Sequence, residues 1–523
     1  MAQTVKPYLQ AAKPTSIYVN WKTAKGMAPV VRFGLRPMAL DRSVKGTTVN
    51  LEPKDTSYHT PYHYHEAKIT GLKPATGYYY QVTSGPQETS AVHYFRTPPT
   101  IGKSTGKLRF IALGDHQVLN YKKKPYAKFD ELVSAAKAKA EEVFGKPLAR
   151  NVNLILNDGD QVDVGKLEHY EKLHFAKSSP LSHELPIITA VGNHETYGKS
   201  YAGGGIEAYK DHFVLDDDFS YGGVSSGTER YYTYQMGNVL FLVMDTEDSS
   251  DEQLNWVANM VNYATTDPGV SWIISIGHRP YEAEQYSDDY SAWFAEKAAP
   301  LLQTTGKFAL HIAGHHHLYA RGQFKDYPAY HIISGGTAWP QYWGDSKKED
   351  DWPETQGSWS NFAYQLIEID NDRNELWVRS YTIGSLMTEK DNVLLDEFRY
   401  RLGVQRPGQP SVTVQQQEEK VILSGSPYTS AAGQKLNSTE YQISQLADFS
   451  NPVISEFRHV ENWFGPASGT TDETENIGEG AEIVNYHPPS GKLNSGTYYV
   501  RVRYRDDNLG WSNWSETTQF NLD

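Results

Sequence analysis

Between residues 105 and 385, five strand-sized apolar runs each lead within three residues to a glycine followed by Asp, Asn or His. The runs are Leu108–Leu113, Val152–Leu156, Ile187–Val191, Trp272–Ile276 and Phe308–Ala313. They lead into Gly114-Asp115-His116-Gln117, Gly159-Asp160-Gln161-Val162-Asp163, Gly192-Asn193-His194-Glu195, Gly277-His278 and Gly314-His315-His316-His317. Helical patterns lie between the runs. Phe129, Leu132, Val133, Ala136, Ala140, Val143 and Phe144 recur at helical spacing, and Gly145 and Pro147 stop that helix. Ser250 starts a second helix, with Gln253 placed to complete a capping box. Strands alternating with helices predict a layered α/β core. Such sheets gather ligands beyond the carboxyl ends of their strands. One Gly-Asp or Gly-His pair would mean nothing; five in order predict a shared site.

The chain has no cysteine, so it has no disulfide, no thiolate ligand and no Cys nucleophile. Asp, Asn and His remain as donors, and they suit two adjacent hard or borderline cations. Hydrolysis of a phosphate ester in line requires a deprotonated water and relief of charge on the equatorial oxygens. Two metals ~3.5–4 Å apart, bridged by one carboxylate, supply both. The glycine before each ligand is expected to let the chain turn tightly as it leaves the strand.

The 523 residues are enough for two to four domains. With 49 Lys+Arg against 63 Asp+Glu the net charge is −14, which argues against nucleic acid as a primary partner. No run of 18 apolar residues is present, so no spanning helix is expected. Residues 4–98 read as all-β, with Ile17, Val19 and Trp21 alternating against polar neighbours. The string Leu72-Lys73-Pro74-Ala75-Thr76-Gly77-Tyr78-Tyr79-Tyr80 resembles the corner of a fibronectin type III domain. His63 and His65 share a strand face and read as strand residues rather than metal ligands. Residues 386–408 read as a linker ending in Arg406-Pro407-Gly408-Gln409-Pro410, and 409–523 again as all-β. There Arg501, Arg503 and Arg505 precede Trp511-Ser512-Asn513-Trp514-Ser515, similar to the Trp-Ser-x-Trp-Ser box of some fibronectin type III domains. The arginines are expected to stack between the indoles as a structural ladder rather than to bind an anion. Both flanks are read as scaffolds. The opening Met1-Ala2-Gln3-Thr4-Val5 carries no charged-then-apolar leader. With these flanks it suggests a mature exported protein, secreted, periplasmic or at the cell surface.

The central motifs resemble the calcineurin-like metallophosphoesterase superfamily, and within it the purple acid phosphatases. Gly314-His315-His316-His317-Leu318-Tyr319-Ala320-Arg321 follows their Gly-His-x-His-x-Tyr-x-Arg string, and Gly192-Asn193-His194-Glu195 matches unmodified. The resemblance covers about residues 4–385. It implies that Asp160 bridges two metals, that Asp115 and His317 hold the first, and that Asn193, His278 and His315 hold the second. His194 would face the substrate phosphate and assist the leaving group. Two positions depart from the pattern. Asp163 stands where purple acid phosphatases have a Tyr ligand, and Gln117 stands where other members have a His. Gln117 is then expected to ligate through its amide oxygen and Asp163 to orient a ligand from outside. The metals stay open among Fe, Zn, Mn and Ca.

His116 is a rival ligand if its loop turns the other way, and His316 is expected to pack or cap. Arg279 binds a phosphate oxygen or forms a salt bridge. Tyr319 and Arg321 support the site. Lys122-Lys123-Lys124 and Asp216-Asp217-Asp218 read as solvated surface, and Gly203–Gly205 with Gly222–Gly223 punctuate an insertion that walls the pocket. The predicted fold is a central layered α/β metallophosphoesterase sandwich over 105–385, flanked by two all-β fibronectin type III-like sandwiches. The predicted function is a secreted dinuclear metal-dependent hydrolase of small phosphate esters, with metal-activated water attacking phosphorus and monoesters as substrates. Small diesters or cyclic nucleotides are the alternative substrates, and a catalytically weak surface binding protein is the alternative of another class. The oligomeric state is left open.

Overall fold

Parallel strands Lys107–Ala112, Leu154–Asn157 and Pro186–Thr189 form the centre of one sheet, with Phe362–Asp370 added antiparallel. A second sheet carries Val239–Val243, Trp272–Ile276, Phe308–Ala313 and Tyr330–Ser334, all parallel. In the computed structural model, which describes residues 5–23, 28–51, 62–85, 88–103, 106–117, 128–198, 205–215, 225–338, 348–417, 420–465 and 474–522, the two sheets face each other across one core. Phe110 meets Phe241 edge-on there, ring centroids 5.1 Å apart. Helix Phe129–Phe144 covers the outer face of the first sheet. Helix Asp251–Thr266 and the helical stretch 294–303 cover the second. Strands buried on both faces must be apolar throughout, which is why these runs show no alternation.

Ser250 caps its helix as expected, accepting the Gln253 N–H at 3.3 Å. The reciprocal half of the box is not made. The buried Gln253 amide instead binds the backbone of Asp245, accepting its N–H at 2.8 Å and donating to its carbonyl at 2.9 Å. That ties the helix to the loop leaving Val239–Val243.

The flanking modules share sheets with the centre. Tyr8–Lys13 pairs in parallel with Pro186–Thr189, so one ten-stranded sheet runs on through Ser16–Thr23 and Tyr62–Thr70 to Thr47–Leu51. The opposing sheet of the N-terminal sandwich is built on Val30–Gly34 and Gly77–Gly85. Tyr78 forms the expected corner, its hydroxyl accepting the Lys73 N–H at 2.9 Å. His65 is buried between Thr23 (2.7 Å) and Thr48 (2.8 Å), and His63 binds Asn50. Both are strand residues.

The C-terminal sandwich is fibronectin type III-like, three strands (Val412–Gln417, Lys420–Gly425, Asn485–Tyr486) facing four (Ile454–His459, Leu436–Ser444, Gly496–Asp506, Thr518–Leu522). It too has a tyrosine corner, Tyr498 accepting the Asn494 N–H at 3.0 Å. The ladder forms: the Arg501 guanidinium lies 4.3 Å from the Trp514 ring centre, and Arg503 lies 4.1 Å from Trp511. Arg505 goes further than the ladder reading. It is fully buried and donates to the carbonyls of Phe324 and Tyr327 at 2.7 and 2.9 Å. Trp511 donates its indole N–H to Lys325 at 2.7 Å.

Residues 386–408 are not a linker. Glu389–Arg401 is a strand antiparallel to Glu375–Gly384. Its polar start, Glu389-Lys390-Asp391, faces solvent and hides the strand from a periodicity reading. Its second half buries Phe398 and Tyr400 against Tyr330 and Trp272. Trp463, from the C-terminal module, pairs with Gly357 and extends the second sheet. Truncation after Gly403 therefore strips a buried polar and aromatic interface rather than a free appendage. The truncated protein should be insoluble, or should unfold at least about 5 °C lower, since each kcal/mol moves the midpoint of a domain this size by ~2–4 °C. A soluble truncate with an unchanged midpoint would contradict this. Among the described residues no helix is long and apolar enough to cross a membrane. The tracts 122–124, 203–204, 216–218 and 222–223 lie outside the described residues.

Candidate metal centre

The five loops meet at the carboxyl ends of their strands. Asp115, Asp160 and His315 sit in the left-handed region at φ 48°, 51° and 73°. Asp and His tolerate that region better than branched residues do. The strain of the turn thus falls mostly on the ligand candidates, not on the glycines before them. Of the five glycines only Gly159 has a positive φ, 106°. The others answer a different need. A Cβ on Gly114 would strike the Asp158 carboxylate, one on Gly192 would strike Asp160, and one on Gly314 would strike Asp115. Glycine stands there because carboxylates pack directly against the backbone.

Asp160 lies at the middle. Its Oδ1 is 3.3 Å from His278 Nε2 and accepts the His194 backbone N–H at 3.0 Å. Its Oδ2 accepts from Gln117 Nε2 at 2.8 Å. On the Gln117 side, His317 Nε2 lies 3.0 Å from Gln117 Nε2 and 3.7 Å from Asp115 Oδ1. On the His278 side, Asn193 Oδ1 lies 2.9 Å from His278 Nε2 and 3.1 Å from His315 Nδ1. Asp160, His278 and His315 present donor atoms all within 4.8 Å of one another. Two donor groups therefore flank one carboxylate.

Neighbours fix how these donors point. His278 turns Nδ1 to the Asp158 carbonyl at 3.0 Å, which leaves Nε2 facing Asp160. Asn193 gives its amide N–H to the Tyr197 hydroxyl at 2.9 Å, which turns Oδ1 inward. Glu195 accepts three backbone N–H groups, from Gly192, Asp160 and Gln161, at 2.7, 2.9 and 2.8 Å. That buried carboxylate clamps two of the loops together. Burial, then the Asp160 charge, pushes its carboxyl up to about 8.

Asp115, Asp158 and Asp160 are each at most 1 % exposed. Burial pushes Asp115 and Asp158 well above the usual carboxylate range. Asp160 is opposed by burial too, yet His278 and His194 hold it below that range. Asp115 Oδ2 meets no hydrogen-bond donor among the described residues, and the buried Asp158 carboxyl lies against that of Asp115. Buried anions without donors are costly unless a cation answers them. With carboxylate, amide and imidazole groups in one cluster, these residues fit two hard or borderline cations.

The structure brings Asp115, Gln117, Asp160, Asn193, His194, His278, His315 and His317 together. Gln117 presents its amide nitrogen, not the expected oxygen, because Asp160 Oδ2 and His317 face it as acceptors. His116 is no ligand: its ring stacks on Phe129 at 4.2 Å and binds His174 at 2.8 Å, away from the cluster. Asp163 orients His194, but through its backbone carbonyl, 2.7 Å from His194 Nδ1. His316 caps the Asp289 carbonyl at 2.7 Å. Tyr319 and Arg321 both bind Asp396, on the strand misread as linker, and so support the site from behind. Arg279 is in a salt bridge, its Nε 2.6 Å from Glu247 and its Nη1 against Asp289. Sequence reading missed Asp158, Tyr197, Glu247 and Asp289. Asp158 and Tyr197 adjoin motifs and were findable; Glu247 and Asp289 lie on other loops, with no local signal.

Without a phenolate at position 163, the metal-loaded protein should be colourless. A visible absorption band that disappears on reduction would contradict this and point to Tyr197, whose hydroxyl already touches Asn193.

Two family models match the chain: the purple acid phosphatase N-terminal domain over residues 2–97, and calcineurin-like phosphoesterase over residues 108–319. Purple acid phosphatase 15 of Arabidopsis thaliana is 25 % identical over 345 residues, a match covering 58 % of this chain and 61 % of that relative. Among solved structures, the purple acid phosphatase from yellow lupin (Lupinus luteus) seeds aligns with TM-score 0.58 at 16 % identity, covering 76 % of this chain and 74 % of that one. PhoD aligns with TM-score 0.53 at 14 % identity, covering 76 % and 90 %. These structures share the fold. Together with the placement of the five motifs, the matches show a calcineurin-like phosphoesterase domain over residues 108–319 joined to a purple acid phosphatase N-terminal domain over residues 2–97.

Proposed function

We propose that this chain is a dinuclear metal-dependent hydrolase of phosphate esters, with monoesters as its substrate class. One observation carries the reading: the Asp160 carboxylate turns one oxygen to Gln117 and the other to His278, so a single side chain faces both donor groups. Asp115, His317 and Asp160, with Gln117 if its amide turns, would hold the first cation. Asn193, His278, His315 and Asp160 would hold the second. Cations bound there would acidify a water and take up charge developing on the phosphoryl oxygens. The remaining work belongs to side chains. His194 is 13 % exposed, its Nδ1 tied to the Asp163 carbonyl and its Nε2 3.8 Å from Asp160 Oδ2. With Nδ1–H spent on that carbonyl, Nε2 of the doubly protonated ring is the end that gives a hydrogen bond or a proton to a departing ester oxygen. Asp163 and Tyr197 keep that ring at the rim of the cluster. The flanking sandwiches and the purple acid phosphatase relatives favour an exported enzyme.

A diesterase reading has one observation behind it. Arg279, the guanidinium beside His315, is already neutralised by Glu247 and Asp289. A monoanionic diester needs less cationic charge than a dianionic monoester. Hydrolysis of p-nitrophenyl phosphate and its bis ester by protein loaded with Mn²⁺, Zn²⁺ or Fe separates the readings. Faster turnover of the monoester is expected; faster turnover of the diester would replace the first reading with the second. Two bound cations and no hydrolysis of either ester would make the chain a binding protein.

A further inference from the structure

We infer that Asp289 is a positioning residue for the second cation site, holding His315 with Nδ1 aimed at the cluster. The inference rests on the dinuclear reading. Asp289 Oδ2 lies 2.9 Å from His315 Nε2, and Oδ1 meets Arg279 Nη1. Its backbone carbonyl accepts from His316 at 2.7 Å. One residue thus fixes two consecutive histidines of the last motif and the arginine beside them. The geometry makes the carboxylate necessary. His315 Nε2 and Arg279 Nη1 are only 3.1 Å apart. When His315 offers the Nδ1 lone pair inward, Nε2 carries a proton, and two donors then face each other. Only a shared acceptor reconciles them, and Asp289 supplies one oxygen to each.

The two partners depend on it unequally. Glu247 also grips Arg279, at Nε (2.6 Å) and Nη2 (3.3 Å), so Arg279 stays in place without Asp289. Among the described residues His315 has no such second anchor at Nε2, and without Asp289 it would rotate away from Arg279. Carboxylates that orient a metal-binding imidazole in this way are typically worth about 10–100-fold in affinity. Asp289 is 47 % exposed in its side chain, so replacing it should perturb folding little.

The test is calorimetric titration of metal-free full-length protein with Mn²⁺ or Zn²⁺, alongside thermal unfolding. Wild type should bind two cations. Asp289→Asn, and Asp289→Ala should the amide variant fold poorly, should bind the first normally and the second about 10–100-fold more weakly. Glu247→Gln, which loosens Arg279 alone, should keep both affinities. A selective loss at one site is not what general loosening of the fold would produce. Two wild-type affinities in both Asp289 variants would overturn the inference while leaving the dinuclear reading intact. So would an equal loss in Glu247→Gln. Fewer than two cations on the wild type would overturn that reading, and this inference with it.

Discussion

Asp160→Asn should release both cations and lower phosphate-ester turnover by about 10⁴-fold, the worth of several kcal/mol of charge stabilisation in the transition state. The reason is geometric. Each carboxylate oxygen serves one donor group, Oδ2 with Gln117 on one side and Oδ1 with His278 on the other. An amide keeps the shape but carries no charge and offers one acceptor, so both sites lose their shared anion and one also loses its oxygen. One of the two donors that the carboxylate now satisfies, the His194 backbone N–H or the Gln117 amide, would also meet an NH₂ in place of an oxygen. Metal analysis of the purified variant, beside its turnover of p-nitrophenyl phosphate, checks this. Two tightly held metals with near wild-type turnover would remove Asp160 from the bridging role.

His194→Ala should lower turnover by about 10²–10⁴-fold, the usual range for general acid or hydrogen-bonding help, while both cations stay bound. The backbone of residue 194, not its imidazole, contacts Asp160 Oδ1, so alanine retains that hydrogen bond. The ring is held at the rim by the Asp163 carbonyl and by Tyr197, whose ring centroid lies 5.0 Å away. If the ring protonates the leaving group, the loss shrinks for p-nitrophenol esters and grows for alkyl esters. If it binds the phosphate, the loss is uniform. Wild-type turnover on both kinds of ester would exclude His194 from the mechanism. A missing cation in the variant would make it a ligand.

What the sequence made legible follows from how local each signal is. The central strands were readable as short unbroken apolar runs, being buried on both faces, and the helix Phe129–Phe144 was readable because burial on one face imposes a period. The cluster was readable because its donors each follow an apolar run directly, and strand ends in such sheets share one edge. Glu389–Arg401 was not, because only its second half is buried; the exposed half carries the composition of a loop. The role of the glycines was misread for a similar reason. Close approach of Asp158 to Gly114 joins two loops, and no local spacing reports it. Glu247 and Asp289 escaped notice likewise, since an acidic residue on a surface loop looks the same whether or not an arginine and a histidine from elsewhere meet it. The C-terminal arginines show the limit from another side. Their stacking on Trp511 and Trp514 was visible in the repeat of residue types, but the reach of Arg505 into the central domain was not.

The central claim is that two cations lie on opposite sides of the Asp160 carboxylate. Anomalous diffraction from crystals of the full-length protein grown with Mn²⁺ or Zn²⁺ tests it most directly. The expected result is two peaks ~3.5–4 Å apart, one beside Asp115 and His317, the other beside Asn193, His278 and His315, with Asp160 between them. A single fully occupied peak, or two peaks that do not share Asp160, would contradict it.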